Sequence, residues 1–171
     1  MFRIQKGTIK DAEILSKISK KSFLVAHGHS AHKKDIDSYT AKNFSKDNFT
    51  KELVNKENLY FLIYSRDKIA GYSKIILNKT NANISAKNIT LMSRLYLLKE
   101  FFGLNLGKEL FNFNLNLSKE NNQQGIWLAV WIENKRAINF YNKMGFQKVG
   151  SFDFEISKTH YNPNHILYLE F

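Results

Sequence analysis

The chain contains no cysteine. Disulfides and thiolate metal sites are excluded, and the absence fits the reducing cytoplasm, the expected location. No apolar run approaches the roughly 20 residues that a membrane-spanning helix needs, and the N-terminus has no signal-peptide pattern, so no membrane partner is expected. Proline is nearly missing too, Pro163 being the single one. No Pro-, Gly- or Ser-rich linker, internal repeat or low-complexity tract interrupts residues 1-171. One domain is expected, long enough to bury a substantial core.

Acidic residues are in deficit: 15 Asp and Glu stand against 26 Lys and Arg, a net charge of +11. Such a balance favours anionic partners, whether nucleic acid, a membrane surface or a phosphorylated cofactor. The lysines are scattered, however, with no basic stripe interleaved with aromatics. Nucleic acid is therefore not the expected partner, and much of the charge reads as a solvated, lysine-rich surface.

The most informative stretch runs from Asn88 to Gly107. Leu91, Arg94, Leu95, Tyr96, Leu97 and Leu98 form a β-prone, largely apolar run. Phe102-Gly103-Leu104-Asn105-Leu106-Gly107 follows as a tight turn. Leu106, Leu110, Phe113 and Leu117 then recur at helical spacing. A strand leading through such a turn into a helix leaves backbone N–H groups unpaired at the helix start, where the helix dipole favours a phosphate. Many turns of this kind are plain connections, so the stretch alone does not decide a function.

Around it, Phe2–Lys6 alternates as a strand. Thr8 and Asp11 have the spacing of a capping box, and the helix behind them turns Ala12, Leu15 and Ile18 inward. From Ala26 to Tyr39 the chain is polar and irregular, and reads equally as a loop in which Asp35, Asp37 and Tyr39 could meet a cationic amine or as an exposed helix start. His27, His29 and His32 lack a matching second ligand cluster, so no metal is expected. Ser45 is placed to cap a short helix carrying Phe49, Leu53 and Val54. Leu59–Tyr64 and Ile69–Leu77 read as a hairpin across Ser65–Lys68. The helix after the Asn88–Gly107 stretch is expected to run to about Glu120, with Gly125 as its left-handed stop. Ile126–Trp131 is continuously apolar, as in a strand covered on both faces and parallel to the one before its helix. Asn134–Gly145 reads as a short helix, Phe146–Ile156 and His165–Phe171 as closing strands. The order is β-α-α-α-β-β-β-α-β-α-β-β, an α/β chain with a mixed (α+β) sheet.

That order and its motifs resemble the GNAT superfamily of N-acetyltransferases. Trp131–Phe146 is similar to the family's N-x-x-A-x-x-F-Y-x-x-x-G-F segment, with Asn134, Ala137, Phe140, Tyr141, Gly145 and Phe146 in place. Ile69-Ala-Gly-Tyr72 is similar to its I-x-G strand. Trp127–Trp131 together with Asn134 looks most like the branch containing PaiA-type spermidine/spermine acetyltransferases. The pyrophosphate turn departs from the usual Q/R-x-x-G-x-G/A: Phe102 replaces the first residue, Asn105 the first glycine, and Gly107 is kept. Asn tolerates positive φ better than other non-glycine residues, so that change is mild.

The resemblance implies a GNAT-like acyl-CoA N-acyltransferase fold with acetyl-CoA as co-substrate. It implies acetyl transfer to a primary amine of a small molecule (polyamine-like, amino acid or similar) by direct attack in a ternary complex. It sets the cofactor against Leu95, Tyr96 and Leu97, against Phe102, Gly103, Leu104, Asn105, Leu106, Gly107 and Lys108, and against Asn134, Ala137, Tyr141 and Lys143. Lys99, Lys135 and Arg136 would add charge near the phosphates. Leu95 and Leu97 would act through main-chain groups, an N–H there polarising the thioester carbonyl. The substrate side would draw on His27, His29, Asp35, Tyr39 and Ser93.

Tyr141 takes the catalytic position beside the sulfur. A phenol of pKa ~10 is a weaker acid than a thiol of ~8.5, so full proton transfer is uphill by about 2 kcal/mol and a hydrogen bond to the thiolate is the safer role. The family's frequent Glu on the fourth strand aligns with Ser93, which leaves no carboxylate base there. An ammonium of pKa ~10.4 costs about 4–5 kcal/mol to deprotonate at pH 7, so water, a histidine of the 27–32 segment or a weakly basic amine must answer for the proton. A CoA-binding module with weak catalysis, and transfer to a peptide or protein amino terminus, stay open beside the small-amine reading. A homodimer through the C-terminal strands is a further expectation.

Overall fold

A computed structural model describes residues 1–171. Its seven strands form one mixed sheet in the order β1-β2-β3-β4-β5-β7-β6. They are β1 (Phe2–Lys6), β2 (Leu59–Ser65), β3 (Lys68–Ile76), β4 (Thr90–Leu97), β5 (Gly125–Trp131), β6 (Gln147–Ser157) and β7 (His160–Glu170). Helices α1 (Ala12–His27), α2 (Lys33–Asn43) and α3 (Lys46–Val54) lie between β1 and β2; α4 (Leu106–Glu120) links β4 to β5 and α5 (Lys135–Lys143) links β5 to β6. The element order is the one the sequence predicts.

Both faces of the sheet are covered. Phe61, Ile75, Met92, Ile126 and Leu128 pack with Leu110 and Phe111 of α4 and Tyr141 of α5. Tyr60, Leu62 and Tyr72 pack on the opposite face with Leu15 and Phe23 of α1, Ile36 of α2 and Phe49 of α3. The apolar run of β2 is thus explained by alternate residues entering two cores. The capping signals also operate. The Asp11 carboxylate accepts from the Thr8 N–H at 2.8 Å, and Ser45 Oγ accepts from the Asn48 N–H at 3.1 Å.

Three expectations need correction. Over residues 26–39 the loop reading gives way to the helical one: α1 continues to His27 and α2 begins at Lys33. The inward stripe of α2 is short, with Ile36 and Thr40 buried one turn apart, and its polar remainder kept the loop reading open. The left-handed residue after α4 is Asn122, with φ 57°, not Gly125. Gly125 opens β5, where a Cβ would lie 2.4 Å from Tyr168 Cε2, so the glycine serves a close approach between strands. Finally, β7 starts at His160, ahead of the expected His165, and contains Pro163. Pro163 O accepts from the Ile132 N–H at 3.1 Å, so the polar groups of Pro163 face the β5 side. The last β5 pair is Trp131 with Asn164, so β7 has passed the end of β5 there and the missing donor breaks no ladder bond.

One pairing positions everything that follows. The parallel strands β4 and β5 pair only at Thr90–Ile126 and Leu91–Trp127, then separate. On the other side of β4, Lys74 pairs with Arg94 while Ile75 pairs with Met92, which leaves Ser93 as an unpaired bulge residue. A bulge bends its strand and tightens the twist. This one also re-aims side chains: Met92 enters the α4 core, whereas Arg94 lies over the Phe44 and Phe49 rings on the α1–α3 face.

Gly71 lets β3 approach the outer half of β4, since a Cβ there would lie 2.2 Å from the Tyr96 carbonyl oxygen. Gly71→Ala is expected to destabilise the chain by about 1–3 kcal/mol through overpacking. For a chain of this size that lowers Tm by roughly 2–4 °C per kcal/mol, measurable by thermal unfolding.

Candidate active site

The parting of β4 and β5 makes a V-shaped notch. Leu98 donates its N–H to Ala70 O at 2.8 Å across to β3. Strand alternation then turns the Leu97 and Leu95 amides the other way, toward the notch, where no strand meets them. Two cavities converge here, of about 490 and 440 Å³, and both are bordered by Leu95, Tyr96, Asn134, Ala137 and Tyr141.

The smaller cavity lies toward the start of α4. Asn105 adopts φ 62°, the left-handed conformation that its substitution for glycine called for. Its side-chain amide donates to Glu109 Oε1 at 3.2 Å. Lys108 and Glu109 make the first helical bonds, both to Asn105 O, so the N–H groups of Leu106 and Gly107 precede the ladder. Gly107 is tight against the notch wall, a Cβ there lying 3.4 Å from Leu97 Cδ1. Phe102 is more than an absent polar side chain: the Arg136 guanidinium sits 3.1 Å from its ring centroid, a cation–π pair at the cavity edge. Of the residues expected around the cofactor, Phe102 and Gly107 border this cavity with Leu95, Tyr96, Leu97, Asn134, Ala137 and Tyr141. Gly103, Leu104, Asn105, Leu106, Lys108 and Lys143 do not; Leu106 is buried in the core, and Lys108 and Lys143 are exposed.

Tyr141 stands at the junction of the two cavities, 8 % exposed. The Phe140 and Phe146 rings hold it at centroid distances of 5.3 and 5.4 Å. Burial raises its pKa above the ordinary phenol value, so it is protonated at neutral pH. Asn134 Oδ1 accepts from the Ala137 N–H at 3.2 Å, which caps α5 and leaves the side-chain NH₂ to the cavities.

The larger cavity reaches toward α1, α2, β6 and β7. It takes in His27, Tyr39 and Ser93, whereas His29 borders the smaller one. Asp35 borders neither cavity, and Asp37 is paired with Lys33. The expected carboxylate patch is therefore absent from the site: α2 turns Ile36 and Thr40 inward and carries its aspartates elsewhere. Burial pushes the Tyr39 hydroxyl up to about 12. Burial and then His29 lower His27 to about 4. Against an ammonium of ~10.4, an imidazole that weak is a base some 6 units short, about 9 kcal/mol, so His27 is a neutral wall and not the missing base.

A polar cluster escaped the sequence reading. Glu52 of α3 accepts from Lys74 Nζ at 2.8 Å, from the Arg94 guanidinium at 3.3 and 3.4 Å, and from the Tyr60 hydroxyl. Burial opposes the Glu52 charge, but Arg94 and Lys74 hold its carboxyl below the usual range. The pairings of Tyr60 with Lys74 across β2 and β3, and of Lys74 with Arg94 across β3 and β4, bring these residues together.

With this geometry in view, the relatives are informative. A model of the acetyltransferase (GNAT) family matches residues 21–146. An uncharacterized N-acetyltransferase of Lactobacillus delbrueckii subsp. lactis is 27% identical over 139 residues, covering 81% of this chain and 80% of that one. A Bacillus subtilis protein provisionally named a [ribosomal protein bS18]-alanine N-acetyltransferase is 30% identical over 131 residues, covering 76% and 78%. Among solved structures, PaiA N-acetyltransferase from Thermoplasma acidophilum in complex with coenzyme A superposes with TM-score 0.79 at 22% identity, covering 100% and 99%. The chain belongs to the GNAT family of acetyltransferases. It is an acyltransferase of the acetyl-CoA-dependent N-acetyltransferase class.

His27 generates a pH prediction. Its folded pKa of about 4 lies below the unfolded value of ~6.5, so the unfolded chain binds more protons between them. The stability it contributes is full above pH ~6.5 and is lost as pH falls toward 4, a drop on the order of 3 kcal/mol. Urea unfolding at stepped pH is expected to show this slope in the native chain and a shallower one in His27→Phe.

Proposed function

We propose that the chain transfers the acetyl group of acetyl-CoA to a primary amine of a small molecule, with the donor in the smaller cavity and the acceptor in the larger. The observation that carries this reading is the placement of Tyr141 where the two cavities meet, beside the unpaired Leu95 and Leu97 amides. Residues 1-171 act together as one acetyltransferase domain in this reading.

The residues fit an elongated, phosphorylated donor. The free amides at the start of α4, with the positive end of its dipole, suit a diphosphate, and Arg136 adds a full charge beside Phe102. The Leu95 and Leu97 amides suit a chain lying in the notch as an added strand. Bound acetyl-CoA supplies an acetyl thioester, whose carbonyl carbon bonds the amine nitrogen as the C–S bond breaks, one amine proton passing to sulfur and the surplus ammonium proton to water. Tyr141 serves as a hydrogen-bond donor to the departing sulfur, since its raised pKa keeps the proton in place.

A peptide or protein amino terminus is a second reading. The names of the Bacillus subtilis relative and of an Escherichia coli ribosomal-protein-S18-alanine N-acetyltransferase, whose structure superposes with TM-score 0.72 at 15% identity, favour it. An α-amine of pKa ~7.8 also needs only about 1 kcal/mol to be deprotonated at pH 7, which suits a site without a carboxylate base.

Tyr141→Phe tests the assignment. Turnover with a broad amine panel is expected to fall about 10²-fold, while acetyl-CoA affinity changes less than about threefold. Unchanged turnover in Tyr141→Phe, or no acetyl-CoA binding to the native chain at high micromolar concentration, would remove the proposal.

A further inference from the structure

We infer that the acceptor is an aminocarboxylate with an apolar side chain, its carboxylate held at Lys74 and Arg94 in the larger cavity. This rests on that cavity being the acceptor side.

The first argument is charge. No Asp or Glu borders the larger cavity, whereas Lys74 and Arg94 do. Their side chains are only 12 and 15 % exposed, and the single carboxylate beside them, Glu52, is shared by both. Two buried cations against one anion leave a positive charge in excess, in a setting where water screens poorly. A polyamine would bring a second ammonium into that field. The carboxylates that might have relieved it, Asp35 and Asp37, lie outside the cavity. An acceptor carrying its own carboxylate completes the balance.

The second argument is geometry. Glu52 and the Tyr60 hydroxyl fix the Arg94 guanidinium, which lies 5.3 and 5.6 Å from the Phe44 and Phe49 ring centroids. A guanidinium held in place is preorganised for a planar carboxylate. Lys74 Nζ gives one hydrogen bond, to Glu52, and an ammonium has three donors. Burial lowers the Lys74 pKa against the pull of Glu52, which a second carboxylate would offset. The third argument is the wall. Phe23, Tyr39, Trp131 and Phe154 offer an aromatic surface to an apolar side chain, and a short polar acceptor would leave it uncovered.

The test compares phenylalanine, phenethylamine (the same amine without its carboxylate) and spermidine, using the full chain. Thiol release from acetyl-CoA reads turnover; quenching of tryptophan fluorescence, with CoA present, reads binding, since both tryptophans border the cavity. Phenylalanine is expected to exceed phenethylamine at least tenfold in kcat/KM and in affinity. Lys74→Met should collapse that ratio toward one, and Lys74→Arg should keep most of it. Turnover without a carboxylate preference, spermidine preferred, or a ratio that survives Lys74→Met would overturn the inference and leave the acetyltransferase reading intact. Lys74-dependent phenylalanine binding with no amine acetylated would leave a carboxylate site at Lys74 but sink the acetyltransfer reading and, with it, the acceptor role. Neither binding nor turnover would sink both.

Discussion

Two strands that should zip together do not. β4 and β5 form two pairs and part, and the parting is built into β4 itself by the unpaired Ser93. Backbone N–H groups in a protein interior must find partners, so an unclosed parallel edge is costly unless something occupies it. A strand pair opened in mid-sheet is therefore a site made of main chain, to which side chains contribute second. This accounts for the tolerance at the turn before α4. Phe102 and Asn105 depart from the family pattern, yet Asn105 still reaches the left-handed conformation and the first-turn amides of α4 still stand clear.

The same bulge links the notch to the charge beside it. Without the extra residue, Arg94 would follow Met92 onto the α4 face. Shifted across, it meets Glu52, Tyr60 and Lys74 and lies against the α1–α3 core. Breaking a buried ion pair on one side costs about 3–5 kcal/mol, because the remaining charge is stranded. The cluster thus ties α3 to the middle of the sheet and sets the sign of the field in the larger cavity at once.

How much of this the sequence disclosed follows from range. Patterns that repeat within a few residues were readable: the strands and helices in order, the Thr8–Asp11 and Ser45 caps, and the Asn134–Phe146 segment that names the family. Features set by contact between distant segments were not. Gly125 looked like a helix stop because glycine after a helix usually is one; the Tyr168 ring pressed against it cannot be seen from its neighbours. The α2 helix stayed one of two readings, because it buries a single turn in a polar frame. Glu52 was the costliest omission, since its meaning depends on the register between β3 and β4. Asp35 shows the reverse case: an apparent loop suggested a substrate-facing carboxylate, and helix α2 carries it outside both cavities.

The same charge distribution governs proton transfer in the two cavities. Tyr141, where the cavities meet, and His27 and Tyr39, in the larger one, are poor proton acceptors near neutral pH. Tyr141 holds its proton more firmly than a free phenol, His27 is too weak a base for an ammonium, and Tyr39 is pushed up to about 12. Glu52, the one buried carboxylate nearby, is held ionised by two cations and makes no border with the cavity. Water is then the proton acceptor open to an amine in the larger cavity, before or on its arrival. Positive charge from Lys74 and Arg94 helps, because a cationic surrounding disfavours the ammonium over the neutral amine. For the aminocarboxylate acceptor inferred above, the excess charge that would repel a polycation is the same charge that would ready a single amine for attack, and the carboxylate would let the molecule stay while its ammonium gives way.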